Sequence, residues 1–313
     1  PVEILEPVRP GSVTVAGSAD YTLGGAGRLS GAMNLLKTGS GTLTLSNAND
    51  FTGTATIAGG TLRLGNHSAL GGEAGGTVIE TGATLDLFGF RAGNDHITVA
   101  GAGVNGQGAI INTGATQQDA IRHLTLAGDT YVTSDFRWDL RGAGGNSSFS
   151  GTLDLANHTL TRAGTNRIAL VDAVATNAGN IVILEGGISL ARSHVGGVGY
   201  INVGTNFVWI ENSTVGRVSK SMIFEGGRLQ CSGSAFGLES FITNRSGLLV
   251  DNSADLTISN IISGGGWLSK SNNGVLRLEA PNTYAGDTTI HAGTLALGVN
   301  GTLGDGATIT LAA

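Results

Sequence analysis

The sequence predicts an all-β fold, a right-handed parallel β-helix (β-solenoid), on three observations: glycine in excess without proline, short alternating apolar runs, and a long internal repeat. Glycine supplies 53 of 313 residues and proline only 4. Collagen would show a Gly-X-Y period, and a disordered chain would be poor in apolar residues. This chain has no such period and is 40% hydrophobic. Glycine, threonine, serine and asparagine between short apolar runs therefore mark strands joined by tight turns. A single globular core would be stretched at this length, whereas a solenoid extends its core along one axis.

The alternating unit recurs along the chain. Thr42-Leu43-Thr44-Leu45, Thr61-Leu62-Arg63-Leu64 and Thr84-Leu85-Asp86-Leu87 come first; Leu153-Asp154-Leu155, Leu276-Arg277-Leu278 and Thr294-Leu295-Ala296-Leu297 follow. A period of two puts leucine on one face and threonine, arginine or aspartate on the other. Leu43 to Leu62 is 19 residues and Leu62 to Leu85 is 23, which sets a coil of roughly 20 residues. Coils stacked about 4.8 Å apart would place Leu43, Leu62, Leu85, Leu276 and Leu295 in one core, within a rod of roughly fifteen rungs.

The repeat is gapless. Residues 37–65 (KTGSGTLTLSNANDFTGTATIAGGTLRLG) align with residues 270–298 (KSNNGVLRLEAPNTYAGDTTIHAGTLALG) at an offset of 233, with 13 of 29 positions identical. Leu43/Leu276, Leu45/Leu278, Ile57/Ile290, Leu62/Leu295 and Leu64/Leu297 read as inward strand positions. Gly53/Gly286 and Gly60/Gly293 read as turns, where glycine reaches positive φ without steric cost. Asn49/Asn282 suits a turn or a stacked asparagine ladder, with Phe51 and Tyr284 as a matched aromatic place. The chain reads as a single segment over 1–313, with a cap or lead-in region over 1–34.

These two segments resemble the autotransporter-associated β-strand repeat, of the form KxGxGTLTLxGxNTYTGxTTIxxGTLxLG. The resemblance covers about a quarter of the chain. It implies a passenger domain exported by type V secretion to the bacterial surface or beyond. Its membrane contact would run only through a C-terminal barrel, which is missing from this chain.

Composition narrows the function classes. The net charge is −6, from 23 acidic and 17 basic residues, so no phosphate-backbone footprint and no nucleic-acid partner are expected. The single cysteine, Cys231, can form no internal disulfide and reads as a small, semi-buried residue. No apolar stretch approaches the ~18 residues that would span a bilayer. The start at Pro1 reads as a processed or excised piece.

Candidate chemistry is sparse. Gly101 to Gly106 fits GxGxxG, but a dinucleotide site needs a helix next, and Ile110-Ile111 reads as another strand. The six histidines lie too far apart for metal-ligand pairs. No cofactor, metal site or catalytic residue is expected.

The local anomaly is TYVTSDFRWDLR, residues 130–141. Read as one alternating strand, Val132, Phe136, Trp138 and Leu140 face inward. Tyr131, Asp135, Arg137, Asp139 and Arg141 then form an outward stripe, with Asp119 and Arg122 one rung away. That stripe is a candidate binding surface, or a charge ladder in which each exposed pair contributes at most about 1 kcal/mol.

The expected function is a secreted or cell-surface, non-enzymatic, adhesin-like or structural rod. Its partners would be a host-cell, matrix or glycan ligand, or copies of itself stacked through the rod ends, since GATITLAA at the C-terminus reads as an uncapped strand. A self-assembling fibre subunit and a β-helix polysaccharide lyase or hydrolase are the alternatives.

Overall fold

A computed structural model describes residues 1–143, 150–195, 199–211, 221–233, 236–304 and 306–312. The chain winds as a parallel β-solenoid of about 14 turns. Strands recur at the same angular position in successive coils and pair in parallel with the coil before and the coil after.

Three long ladders run along the rod. The first starts at Ser12–Val15 and Asn34–Lys37 and runs to His194–Val195. The second runs from Val2–Glu3 through Thr42–Leu45 and Gly60–Leu64 to Thr283–Tyr284. The third begins with the N-terminal part of Gln117–Thr133 and Trp138–Arg141 and ends at Ile309–Leu311. A fourth, shorter ladder joins Phe236–Leu238, Leu256–Ile258, Val275–Leu278 and Thr294–Leu297. Strands within residues 1–34 already pair in this stack.

Period-two burial accounts for the interior. Leu43, Leu45, Leu62, Leu64 and Leu85 are fully buried, as are Leu276 and Leu278, while Leu295 packs partly covered against the same cluster. That cluster is continuous from Ile4 to Tyr284. Each buried leucine contributes about 1.5–3 kcal/mol of apolar transfer, so the stack is stabilised along its whole length. Cys231 sits inside this core at 1% exposure, more buried than its sequence suggests, and burial pushes its thiol pKa up.

The repeat positions that are not leucine join coils together. The buried Asn49 accepts the amide of Leu29 from the preceding coil (2.9 Å) and donates to the carbonyl of Ala69 in the next (2.8 Å). Asn282 accepts from Ile262 (2.8 Å) and donates to Ala280 and Thr302 (3.0 and 2.7 Å). A corner asparagine thus satisfies buried backbone groups of three successive coils.

The lysine that opens each repeat points inward. Lys37 is 1% exposed, and its ammonium donates to the carbonyls of Gly39 and, in the next coil, Gly59 (3.0 Å). Lys270, fully buried, donates to Ser271, Asn272 and Ala292 (2.8, 2.6 and 3.1 Å). Burial lowers both lysine pKa values. Gly60 and Gly293 follow the clamped carbonyls at φ 64° and 75°, where a Cβ would stand 2.7 Å from the lysine Nζ. Arg162 repeats the device outside the two copies, donating to Gly164 (2.8 Å), Glu185 and Ser134 Oγ (2.6 Å). Burial brings its pKa down to about 10.

Gly101 to Gly106 leads into a single 3-10 turn, Val104–Gly106, and then the strand Ile110–Ile111. Among the described residues no helix is long and apolar enough to cross a membrane.

Candidate functional site: an arginine and aromatic groove

Residues 130–141 do not form one alternating strand. Gln117–Thr133 belongs to the second ladder at Tyr131, which faces Thr161, whereas Trp138–Arg141 belongs to the third. The chain turns the corner between them. Ser134 is buried there and accepts from Arg162, while the Trp138 indole donates to the Thr133 carbonyl (3.1 Å). Val132, Trp138 and Leu140 do face inward, but Phe136 lies on the corner and is 45% exposed. Tyr131 and the arginines consequently lie on different ladders, and the exposed Asp135 stands at the turn between them.

Asp139 is the second departure. Alternation puts it on the outer side, yet it is fully buried. Arg137 grips it with two bonds, Nε to Oδ1 and Nη2 to Oδ2, both 2.7 Å. Arg141 adds Nη2 to Oδ2 at 3.1 Å. Such forked pairs are strong and directional. Burial raises the Asp139 pKa, and hydrogen bonding and charge from the two arginines oppose it. The carboxylate serves as the hub that fixes two arginines.

Those arginines outnumber it. Arg167, one rung on, has its own pKa lowered by burial first and then by the like charge of Arg137, against the pull of Asp139 and Glu211. Its guanidinium lies over the Trp209 ring at 4.6 Å, a cation–π contact. The Trp209 indole in turn donates to Ser232 Oγ (2.8 Å). Between them the outward positions are small. Asp139 faces Ala169, Ala169 faces Ser189, and Arg167 faces Gly187. A Cβ at Gly187 would collide with the Phe207 ring, which lies across that position. The result is a groove of about 500 Å³ between Gln118, Arg137, Asn166, Arg167 and Phe207. It offers an aromatic wall, amide groups and unbalanced guanidinium charge. That chemistry suits an anion carrying hydroxyl groups.

The structure therefore unites Arg137, Asp139 and Arg141 and separates Tyr131 from them. Asp119 and Arg122 do lie on the strand one rung before Trp138–Arg141, but Asp119 pairs with Arg91 (3.4 Å), and with Arg122 it borders another pocket. Arg167, Phe207 and Trp209 escape the sequence reading because they come from later coils. Their sequence signal is spacing: Arg167, Gly187 and Phe207 stand 20 residues apart, the length of one coil. Among the described residues no group of three or more His, Cys, Asp or Glu side chains could hold a metal ion.

A stack of parallel coils with the same lysine, asparagine and glycine staples in two places is a repeat solenoid of passenger type. The Passenger-associated-transport-repeat family matches at residues 35–64 and 268–297, so the chain carries the repeats of an autotransporter passenger domain. It is also similar to a protein described as an adhesin, the BmaC autotransporter of Brucella suis biovar 1 (strain 1330), at 29% identity over 336 aligned positions covering 86% of this chain. The chain spans about a tenth of the length of that relative (10%). No solved structure matches.

Proposed function

We propose that this surface passenger segment is a non-enzymatic, adhesin-like binding rod at the bacterial surface, and that its groove takes an acidic glycan. The observation that carries the reading is the surplus guanidinium charge of Arg137, Arg141 and Arg167 over Asp139 and Glu211, beside Phe207 and Trp209. A glycan carboxylate would relieve the repulsion between Arg137 and Arg167, and a sugar face would pack on Phe207. The adhesin description of the relative supports the same direction. Both Asp139 oxygens are engaged by arginine, which speaks against using that carboxylate as a general base.

The test is calorimetric titration of the purified chain with uronate- and sialate-containing oligosaccharides, with neutral dextran as control. The acidic ligands should bind, binding should weaken as salt rises, and Arg137→Ala with Arg167→Ala should abolish it. Equal affinity for neutral dextran, or indifference to the double substitution, would remove the reading. Release of reducing or unsaturated sugar ends by the wild-type chain, lost in Asp139→Asn, would favour a lyase or hydrolase instead.

A further inference from the structure

A second pocket, of about 280 Å³, opens where the first ladder is irregular. Between Gly93 and His96 the strand advances three residues while its partner advances two, from Ile121 to His123. This is a bulge, a device that re-aims side chains and interrupts pairing. Gly93 sits in it at φ 69° with nothing within 4 Å of where a Cβ would be, so the backbone here borders open space.

The bulge sets two charged side chains at one corner. Asp95 shares the burial parity of Ile97 and Val99, while Arg122, two residues before Leu124 on the paired strand, is half-buried. Asp95 is 5% exposed. Its Oδ2 accepts the Thr77 hydroxyl, whereas its Oδ1 is buried without a hydrogen-bond partner. Arg122 Nε is likewise buried and unpartnered. Both residues line the pocket. Leaving a buried polar atom unsatisfied is costly, more so when it is charged, and here two such atoms belong to residues lining one pocket.

The surroundings say what group. Glu73 accepts from Asn94 at the rim, and Asp119 pairs with Arg91 across it. His67 accepts the Arg91 amide on Nδ1 (3.2 Å), with its ring set edge-on against Phe90. An anion would meet Asp95 and Glu73; a cation would meet Arg122. Donors and acceptors both line the wall, and the volume holds one ring rather than a chain. A hydroxyl both donates and accepts, so sugar hydroxyls suit a wall that carries carboxylates and a guanidinium together.

We propose that the pocket formed by His67, Glu73, Asp95 and Arg122 binds a single neutral sugar residue through its hydroxyl groups, at a site separate from the arginine groove. The site does not depend on the acidic-glycan reading, and the two can fail independently.

The experiment is saturation-transfer NMR on the full chain with methyl glycosides of glucose, galactose, mannose and N-acetylglucosamine. At least one should bind. Asp95→Leu and Arg122→Met should each weaken it tenfold or more, while the double substitution at Arg137 and Arg167 leaves it unchanged. Circular dichroism and thermal melting establish that each variant is folded. Should one variant unfold, the other carries the test alone, and a cocrystal with the bound glycoside replaces the missing arm. Binding of no glycoside, binding indifferent to both substitutions, or a cocrystal with only water in the pocket overturns the proposal. Loss of acidic-glycan binding with retained glycoside binding would bear on the groove alone.

Discussion

The first repeat and the bulged coil around Asp95 both bury a charge, and they treat it in opposite ways. Lys37 reaches carbonyls in two coils, and Gly60 leaves room for its ammonium. Asp95 keeps one oxygen without a partner on the wall of an open pocket. Both charges have given up hydration; the lysine recovers it through carbonyls of two coils, whereas Asp95 recovers only part of it, through Thr77. The difference teaches how to tell a staple from a site in so regular a molecule. An unanswered buried atom is not enough by itself, since the stapling Arg162 also leaves its Nε without a partner; what sets Asp95 apart is that it lines an open pocket.

Removing the staple should produce the largest effect. Lys37→Met keeps the length of the side chain and leaves the Gly39 and Gly59 carbonyls without their donor, at about 4 kcal/mol from two unsatisfied groups. Lys270→Met should cost less, about 2 kcal/mol, because Gly293 beside it is exposed where Gly60 is buried, so water can replace the ammonium. Urea unfolding of the two variants side by side measures this. Equal losses would mean that the clamp works the same way wherever it sits.

The same comparison predicts an opposite sign at Asp95. Burial first, and then the charge of Glu73, raise its pKa from 3.8 to about 6, against hydrogen bonds from Thr77 and the His96 backbone. A raised carboxyl pKa gives stability that is fully present below 3.8 and is lost as pH rises through about 6. Unfolding free energy should therefore fall by about 3 kcal/mol between pH 4 and pH 7.5, on top of the shared background of other groups. Asp95→Leu should flatten that slope and leave the protein more stable than wild type at pH 7.5. A variant less stable at every pH would show that the carboxylate is a staple after all.

A finer test uses the matched aromatics. The Tyr284 hydroxyl bonds Thr288 Oγ1 (2.7 Å); in the first copy Phe51 and Ala55 occupy the corresponding places, both buried. Phe51→Tyr alone should cost about 2 kcal/mol by burying an unpaired hydroxyl, and adding Ala55→Thr should recover at least half. Tyr284→Phe, which leaves Thr288 unpaired, should cost about 1 kcal/mol. A double-mutant cycle on thermal midpoints reads both, and additivity in the first copy would show that the two corners are not equivalent.

The fold was legible because solenoid rules are local. Alternation marked Leu43, Leu62 and Leu85 as inward, and the gapless repeat marked the turns. Asn49 and Lys37 were visible as repeated letters, but their partners lie a coil away, so their role as staples emerges only on stacking. The groove was half legible. Arg137, Asp139 and Arg141 stand together in the sequence, yet period two cannot see the two arginines that close over Asp139, nor the corner that exposes Phe136 and sends Tyr131 to another ladder. Arg167, Phe207 and Trp209 arrive through coil spacing. The Asp95 pocket left no local signal, because it depends on a slip in register between two strands.

The two repeats also differ in where they point. The first occupies the first and second ladders at Asn34–Lys37 and Thr42–Leu45. The second occupies the third and fourth, at Trp267–Ser271 and Val275–Leu278. The residues between them therefore encode a heading as well as a distance, as a screw thread does. Inserting whole coils would move the second copy further along the axis and keep its compass bearing. Deleting the length of a single side would swing everything beyond it around the shaft, carrying intact sites to a new side of the rod.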